Sequence, residues 1–176
     1  MRKSLGILNL PKDAVYDEMN SPVGNLTIIT SSEGLHAIIW DQDRQNPFYA
    51  AIINNLKKSQ TDQMITQTKQ QLNEYFAGKR TTFDLPIVLN GTSFQIQVWQ
   101  QLLKIPYGST ISYGTQAERI GDKKKARAVG IANGLNPISI VVPCHRVIGN
   151  NGKLTGFAGG IDKKDYLLKL EKKLLG

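Results

Sequence analysis

The chain has 176 residues, 40% hydrophobic and 7% aromatic, with a formal net charge of +8 and a pI near 9.6. That length holds one domain or two small ones, no stretch has the apolar length of a membrane span, and the basic start Met1-Arg2-Lys3-Ser4-Leu5 reaches Pro11 without a signal-peptide core. One cysteine excludes an internal disulfide, and with His36 and His145 it supplies too few ligands for zinc, so a cytoplasmic protein without metal or cofactor is expected.

Residues 23–40 read as a β-hairpin: the β-branched run Val23 to Thr30, turn residues from Ser31 to Gly34, then Leu35 to Trp40. Asn46 to Leu56 and Asp62 to Phe76 have helical apolar spacing. In the second, Ile65, Leu72, Tyr75 and Phe76 form a stripe that Gly78 closes. Thr81 to Val88 is extended and contains Pro86, and Asn90-Gly91-Thr92-Ser93 marks a boundary, dividing the chain into domains 1–89 and 90–176.

Beyond it, Ser93 to Leu103 forms an amphipathic helix, and Pro106-Tyr107-Gly108 a turn. Ser112 to Ile120 is a short helix stopped by Gly121, and residues 123–133 form a second one N-capped by Asp122. Two short helices joined by a glycine turn outline a helix-turn-helix, although many helical hairpins share that outline. The second helix would carry Lys123, Lys124, Lys125 and Arg127. Together with Arg146, Lys163, Lys164, Lys169, Lys172 and Lys173, they gather positive charge in the C-terminal half. Such charge suits nucleic acid or another polyanion, the plain alternative being a solvated surface.

The apolar segment Ile138 to Val142 reads as a buried strand that ends at Pro143 and presents Cys144 at its tip, beside His145. A thiol attacks as thiolate, and a neighbouring imidazole or cation favours that form. A buried structural thiol is the alternative. The glycine-rich stretch Gly149 to Gly160 then reads as a pocket wall rather than a tail, and a helix from Asp162 to Leu174 closes the chain.

These residues carry a resemblance. Pro143-Cys144-His145-Arg146-Val147, Gly91-Thr92-Ser93-Phe94-Gln95 with Val98-Trp99, Pro106-Tyr107-Gly108 through Ile111-Ser112-Tyr113, and Ala126-Arg127-Ala128-Val129-Gly130 stand in family order. So do Asn136-Pro137, Gly156 to Gly160, and Leu167-Leu168 through Glu171. Over residues 90–171 the chain resembles the O6-alkylguanine-DNA alkyltransferases. Over 1–89 the likeness rests chiefly on the hairpin from Pro22 to Leu35.

The resemblance implies a two-domain α+β/α fold. Its N-terminal α/β domain would be ribonuclease H-like with a small sheet, and its C-terminal domain mostly helical and winged-helix-like, with a helix-turn-helix. It implies DNA repair by single-turnover transfer of the alkyl group from O6-alkylguanine in double-stranded DNA, with O4-alkylthymine as a second candidate, onto Cys144 after base flipping. His145, oriented by Glu171 and reaching Cys144 through a water, would be the general base. Tyr113 would crowd the target phosphate and protonate the departing guanine, and Asn136 would act as a hinge. Val147, Phe157, Ala158 and Asn133 would contact the base. Arg127 would intercalate, Ala126, Ala128 and Gly130 would permit close approach, and Lys124 and Lys125 would meet phosphates.

A monomer in solution is expected, with cooperativity on DNA left open. Phe157, Ala158, Asn133 and Gly134 depart from certain relatives, which bears on the size of adduct accepted. Three rivals are weighed. A non-enzymatic alkyltransferase-like binder lacks the cysteine that Cys144 supplies. A transcription regulator would need a further DNA-binding domain. A cysteine hydrolase using Cys144, His145 and Glu171 would need an oxyanion hole, which the sequence does not identify.

Overall fold

A computed structural model describes residues 9–175. The basic start Met1-Arg2-Lys3-Ser4-Leu5 lies outside the described residues. The chain divides into two compact units, one within Gly6–Asn90 and one within Gly91–Gly176.

The first unit is built on a four-stranded sheet of order β3-β2-β1-β4. Strands β1 (Val15–Ser21), β2 (Gly24–Ser31) and β3 (Gly34–Trp40) run antiparallel in turn, and the two-residue β4 (Lys57–Lys58) adds parallel to β1. The expected hairpin is therefore β2–β3. Strand β1 escapes sequence reading because Tyr16, Asp17, Glu18 and Asn20 dilute its apolar pattern. Asp17 is nonetheless buried and paired with Lys69. Short helices α1 (Asp41–Arg44) and α2 (Pro47–Asn54) lead to α3 (Gln63–Phe76), capped by Asp62, whose Oδ1 accepts from Ile65 N at 3.0 Å. Helix α3 lays Ile65, Thr68, Leu72 and Tyr75 on the sheet, while Phe76 is only half-buried. Residues 81–88 run extended and bracket Leu35, whose N donates to Pro86 O at 2.8 Å and whose O accepts from Val88 N at 2.9 Å. Gly34 is required there, since a Cβ would lie 2.4 Å from Pro86 O.

The second unit starts with α4 (Ser93–Leu102), held by a capping box: Thr92 Oγ1 accepts from Gln95 N, and Gln95 Oε1 accepts from Thr92 N. Val98, Trp99 and Leu102 are buried, and Trp99 Nε1 donates to Ala132 O at 2.8 Å. Helices α5 (Tyr113–Arg119) and α6 (Ala126–Gly134) form the helical pair. One expectation is corrected here. Lys123–Lys125 form a 3-10 turn before α6, closed by Lys125 N donating to Asp122 O at 3.0 Å, so the lysines precede the helix rather than ride on it. A two-residue parallel pair, β5 (Ile111–Ser112) with β6 (Val147–Ile148), and the long helix α7 (Ile161–Leu175) complete the unit.

The segment before Cys144 is a second correction: it is buried but it is not a strand. Its backbone bonds turn inward, Val141 N to Ser139 O, Val142 N to Ile138 O and Cys144 N to Val142 O, and only an isolated Ser139–Val142 bridge remains. Ile140 adopts φ +75°, a left-handed conformation costly for a β-branched residue. Asn136 braces the turn: Nδ2 donates to Val142 O at 2.7 Å, and Oδ1 accepts from Ile138 N at 3.0 Å. Burial alone produced the apolar pattern that reads as a strand.

Candidate active site and nucleic-acid interface

Cys144 opens a 3-10 turn, Cys144–Arg146, in which all three residues are buried. Pro143 O accepts from Arg146 N at 3.1 Å, which closes the turn. His145 is fully buried, and its Nε2 meets Glu171 Oε1 at 2.7 Å. Burial pushes the imidazole below its ordinary value of 6.5, against the pull of Glu171 and with help from Arg146 and Lys164. The ring is therefore neutral near pH 7 and donates its one proton to the carboxylate. Its Nδ1 is left as a lone-pair acceptor, buried and without a hydrogen-bond partner among the described residues.

Glu171 is a hub rather than the surface carboxylate that adjacent Lys172 and Lys173 suggest. It has no exposed surface, and it accepts from His145, from Arg146 Nε and Nη2 at 2.9 Å each, and from Gly108 N at 3.0 Å. Burial pushes its carboxyl upward, but the His145 and Arg146 hydrogen bonds outweigh that and hold it well below the usual carboxylate range. Arg146 also donates to Ile105 O at 2.7 Å and lies over the Tyr107 ring.

Lys164 is the residue that sequence reading misplaces. Counted there among surface cations, it is fully buried. Its Nζ donates to Val147 O at 2.5 Å and Thr155 O at 3.1 Å, and lies 3.4 Å from Tyr113 Oη. It also sits near the ring faces of Tyr113 and Phe157. Burial lowers its pKa while negative charge on Cys144 raises it, and burial raises the Tyr113 phenol. By reciprocity, a protonated Lys164 favours the thiolate. The spacing Lys164, Leu167, Glu171 places all three on the buried face of α7, a helical period that was readable in advance. Arg146, likewise counted as surface charge, was identifiable by its place inside an apolar run.

Tyr113 Oη donates to Thr155 O at 3.0 Å, on the side of Lys164. Phe157 and Ala158 are buried. The Val147 carbonyl already accepts from Lys164, which leaves it one lone pair. Asn133, expected to contact the base, is held by a neighbour on α5. It is 5% exposed and exchanges two hydrogen bonds with Gln116, at 2.7 and 3.1 Å, so its amide ties α5 to α6. That pairing was invisible because Gln116 belongs to no recognisable motif.

Along α6, Arg127 and Ala128 are exposed, Ala126 and Gly130 half-buried. Tyr113, Arg127, Gly130, Thr155 and Gly156 border an open recess of about 450 Å³. Lys124 and Lys125 are exposed just before it, Lys125 lying over the Phe94 ring. The described residues hold no cluster of three or more His, Cys, Asp or Glu side chains suited to a metal ion.

Comparison with known proteins bears on this arrangement. Residues 93–173 match the family model described as the DNA-binding domain of 6-O-methylguanine DNA methyltransferase, and residues 14–89 match its ribonuclease-like domain. The chain belongs to the 6-O-methylguanine DNA methyltransferase family. Over 163 residues, 89% of this chain and 97% of the relative, it is 42% identical to the methylated-DNA–protein-cysteine methyltransferase of Methanosarcina acetivorans. It is 63% identical to the Mycobacterium tuberculosis protein of that name over 102 residues, a stretch that spans 62% of the relative's length. The crystal structure of the M. tuberculosis O6-methylguanine methyltransferase superposes with TM-score 0.81 at 45% identity, covering 91% of this chain and 93% of that one. The M. tuberculosis protein has also been solved in complex with DNA, and that chain superposes with TM-score 0.80.

Proposed function

We propose that the protein repairs DNA by moving the alkyl group of O6-alkylguanine in duplex DNA onto Cys144, once per molecule. The observation that carries this reading is the conjunction of a cysteine with a buried neutral imidazole, anchored at Nε2 by Glu171 and open at Nδ1. In the reaction, His145 Nδ1 takes the thiol proton through a bridging water. The thiolate then attacks the alkyl carbon in line, the S–C bond forming as the C–O6 bond breaks. The departing electron pair stays on guanine, which takes a proton from the Tyr113 hydroxyl, and Lys164 resupplies Tyr113. The thioether is stable, so no turnover follows.

The target base must leave the stack to reach a buried sulfur. Helix α6 suits an approach through the minor groove. A Cβ at Gly130 would meet only the Tyr113 ring at 3.6 Å, and one at Gly134 would meet nothing within 4 Å. Internal packing thus does not demand these glycines, although each costs helix stability of about 1 kcal/mol relative to alanine. A surface that must approach DNA closely does. Arg127 would fill the gap, Phe157 would stack on the base, and the remaining lone pair of the Val147 carbonyl would accept from its amino group. Lys124 and Lys125 would meet phosphates. On this reading residues 1–89 form the N-terminal α/β domain and 90–176 the DNA-binding and transfer domain, acting as a monomer in the cytoplasm.

The test uses duplex DNA carrying tritiated O6-methylguanine. Label should appear on Cys144 of the wild type and be absent from Cys144→Ala, which should still bind the duplex. Unmodified protein mass after excess damaged duplex refutes the proposal. Binding should weaken steeply between low and physiological salt, through counterion release.

A further inference from the structure

The α6 face that carries Arg127 has a second projection. Of the α6 residues, only Arg127, Ala128 and Ile131 are exposed, and Ile131 is 61% exposed. Four positions apart, Arg127 and Ile131 stand side by side on the helix surface, with only the methyl of Ala128 as a neighbour on that face. Physical chemistry disfavours isoleucine here. A β-branched side chain loses rotamer freedom in a helix, and its apolar surface stays in water. Ile131 borders the same recess of about 450 Å³ as Arg127, Tyr113 and Thr155. The exposed Lys123, Lys124 and Lys125 stand one turn earlier. An apolar prong beside cations matches a minor groove, with phosphates along its rims and sugars and base edges within. Apolar wedges in that groove unstack base steps.

We infer that Ile131 is a second prong of the wedge that extrudes the target base. Arg127 enters the vacated gap, while Ile131 packs on the sugar and base edge of the flanking nucleotide and holds the step open. Ile131 touches no reacting atom, so it is a positioning residue. The inference rests on transfer from duplex DNA as proposed above.

Ile131→Ala and Ile131→Leu are compared with wild type on duplex O6-methylguanine and on free O6-benzylguanine, which needs no extrusion. The ratio of duplex rate to free-base rate should fall about tenfold in Ile131→Ala and recover to within about twofold in Ile131→Leu, as expected for a wedge that acts through apolar bulk. The salt slope of binding should not change in Ile131→Ala, since no cation is lost, whereas Lys124→Ala should flatten it by about one. A 2-aminopurine beside the lesion should brighten on binding wild type and less on binding Ile131→Ala. An unchanged rate ratio in a folded Ile131→Ala, checked by its melting temperature, overturns the role of Ile131. A wild type that reacts with the free base but never with duplex overturns the function itself.

Discussion

Each unit buries a histidine with a 2.7 Å hydrogen bond at Nε2 and an Nδ1 without a partner among the described residues. In both, burial lowers the imidazole pKa. The partners differ. His36 meets Ser31 Oγ, a hydroxyl that donates or accepts and so leaves the tautomer undetermined. His145 meets a carboxylate that hydrogen bonds, those from Arg146 among them, hold ionised; it can only accept, and so the tautomer is set. A buried histidine is ordinary. On the function proposed above, a buried histidine whose tautomer is set by a carboxylate and which follows Cys144 in the chain is the base.

That comparison breaks most sharply at Glu171. Glu171→Ala removes the acceptor of the His145 ring and two hydrogen bonds of the buried Arg146 guanidinium, which keeps Ile105 O. It should cost about 3–5 kcal/mol of stability, read as a lowered denaturation midpoint. In the fraction that stays folded, transfer should slow by about a hundredfold as the base loses its orientation. Retention of full rate and stability would remove Glu171 from the mechanism.

Lys164→Met keeps the apolar stem and removes the charge. Single-turnover transfer should slow by about a hundredfold. In wild type the rate should rise with pH as His145 loses its proton, an acid limb lying below 6.5. The rate should fall again as Lys164 deprotonates below its ordinary 10.5. Lys164→Met should lack that alkaline limb, and its persistence would assign the limb elsewhere.

Asn136→Ala orphans the buried Val142 carbonyl and Ile138 amide, at about 1–3 kcal/mol each. It should lower the melting temperature of the unmodified protein. Alkylation of Cys144, which crowds the turn that Asn136 braces, should lower the wild-type melting temperature too. An equal or higher value after O6-benzylguanine would contradict that coupling.

Acid titration separates the two histidines more gently. His36, His145 and Glu171 all have folded pKa values below their ordinary ones, so the unfolded chain binds more protons and stability falls as pH falls. The loss should begin near pH 6.5 and steepen below about 4.5, where unfolded glutamates protonate. Glu171→Gln should remove the steeper part attributable to that residue. His36→Gln should remove part of the shallow one, cost no more than about 1–3 kcal/mol, and leave transfer at the wild-type rate. A His36→Gln protein slowed in transfer would end the contrast between the two histidines.

Local chemistry determined much of this protein. The helices at 63–76, 93–102 and 161–175 follow from apolar periodicity and from capping at Asp62 and Thr92, which act within a few residues. The motif around Cys144 pointed to the proposed nucleophile and its neighbour because they are adjacent in the chain. Only the tertiary structure decided which charges are inside. In one dimension Lys164, Arg146 and Glu171 carry only a hint of burial, in the register of α7 and the apolar neighbours of Arg146, and they are held inside by partners 9 to 63 positions away. The same holds for the turn before Cys144. Its run of isoleucine and valine records burial, while its shape is set by the Asn136 side chain and a left-handed Ile140. Burial leaves its mark on composition, whereas the pairing of polar groups is a property of distance in space, which sequence order does not carry.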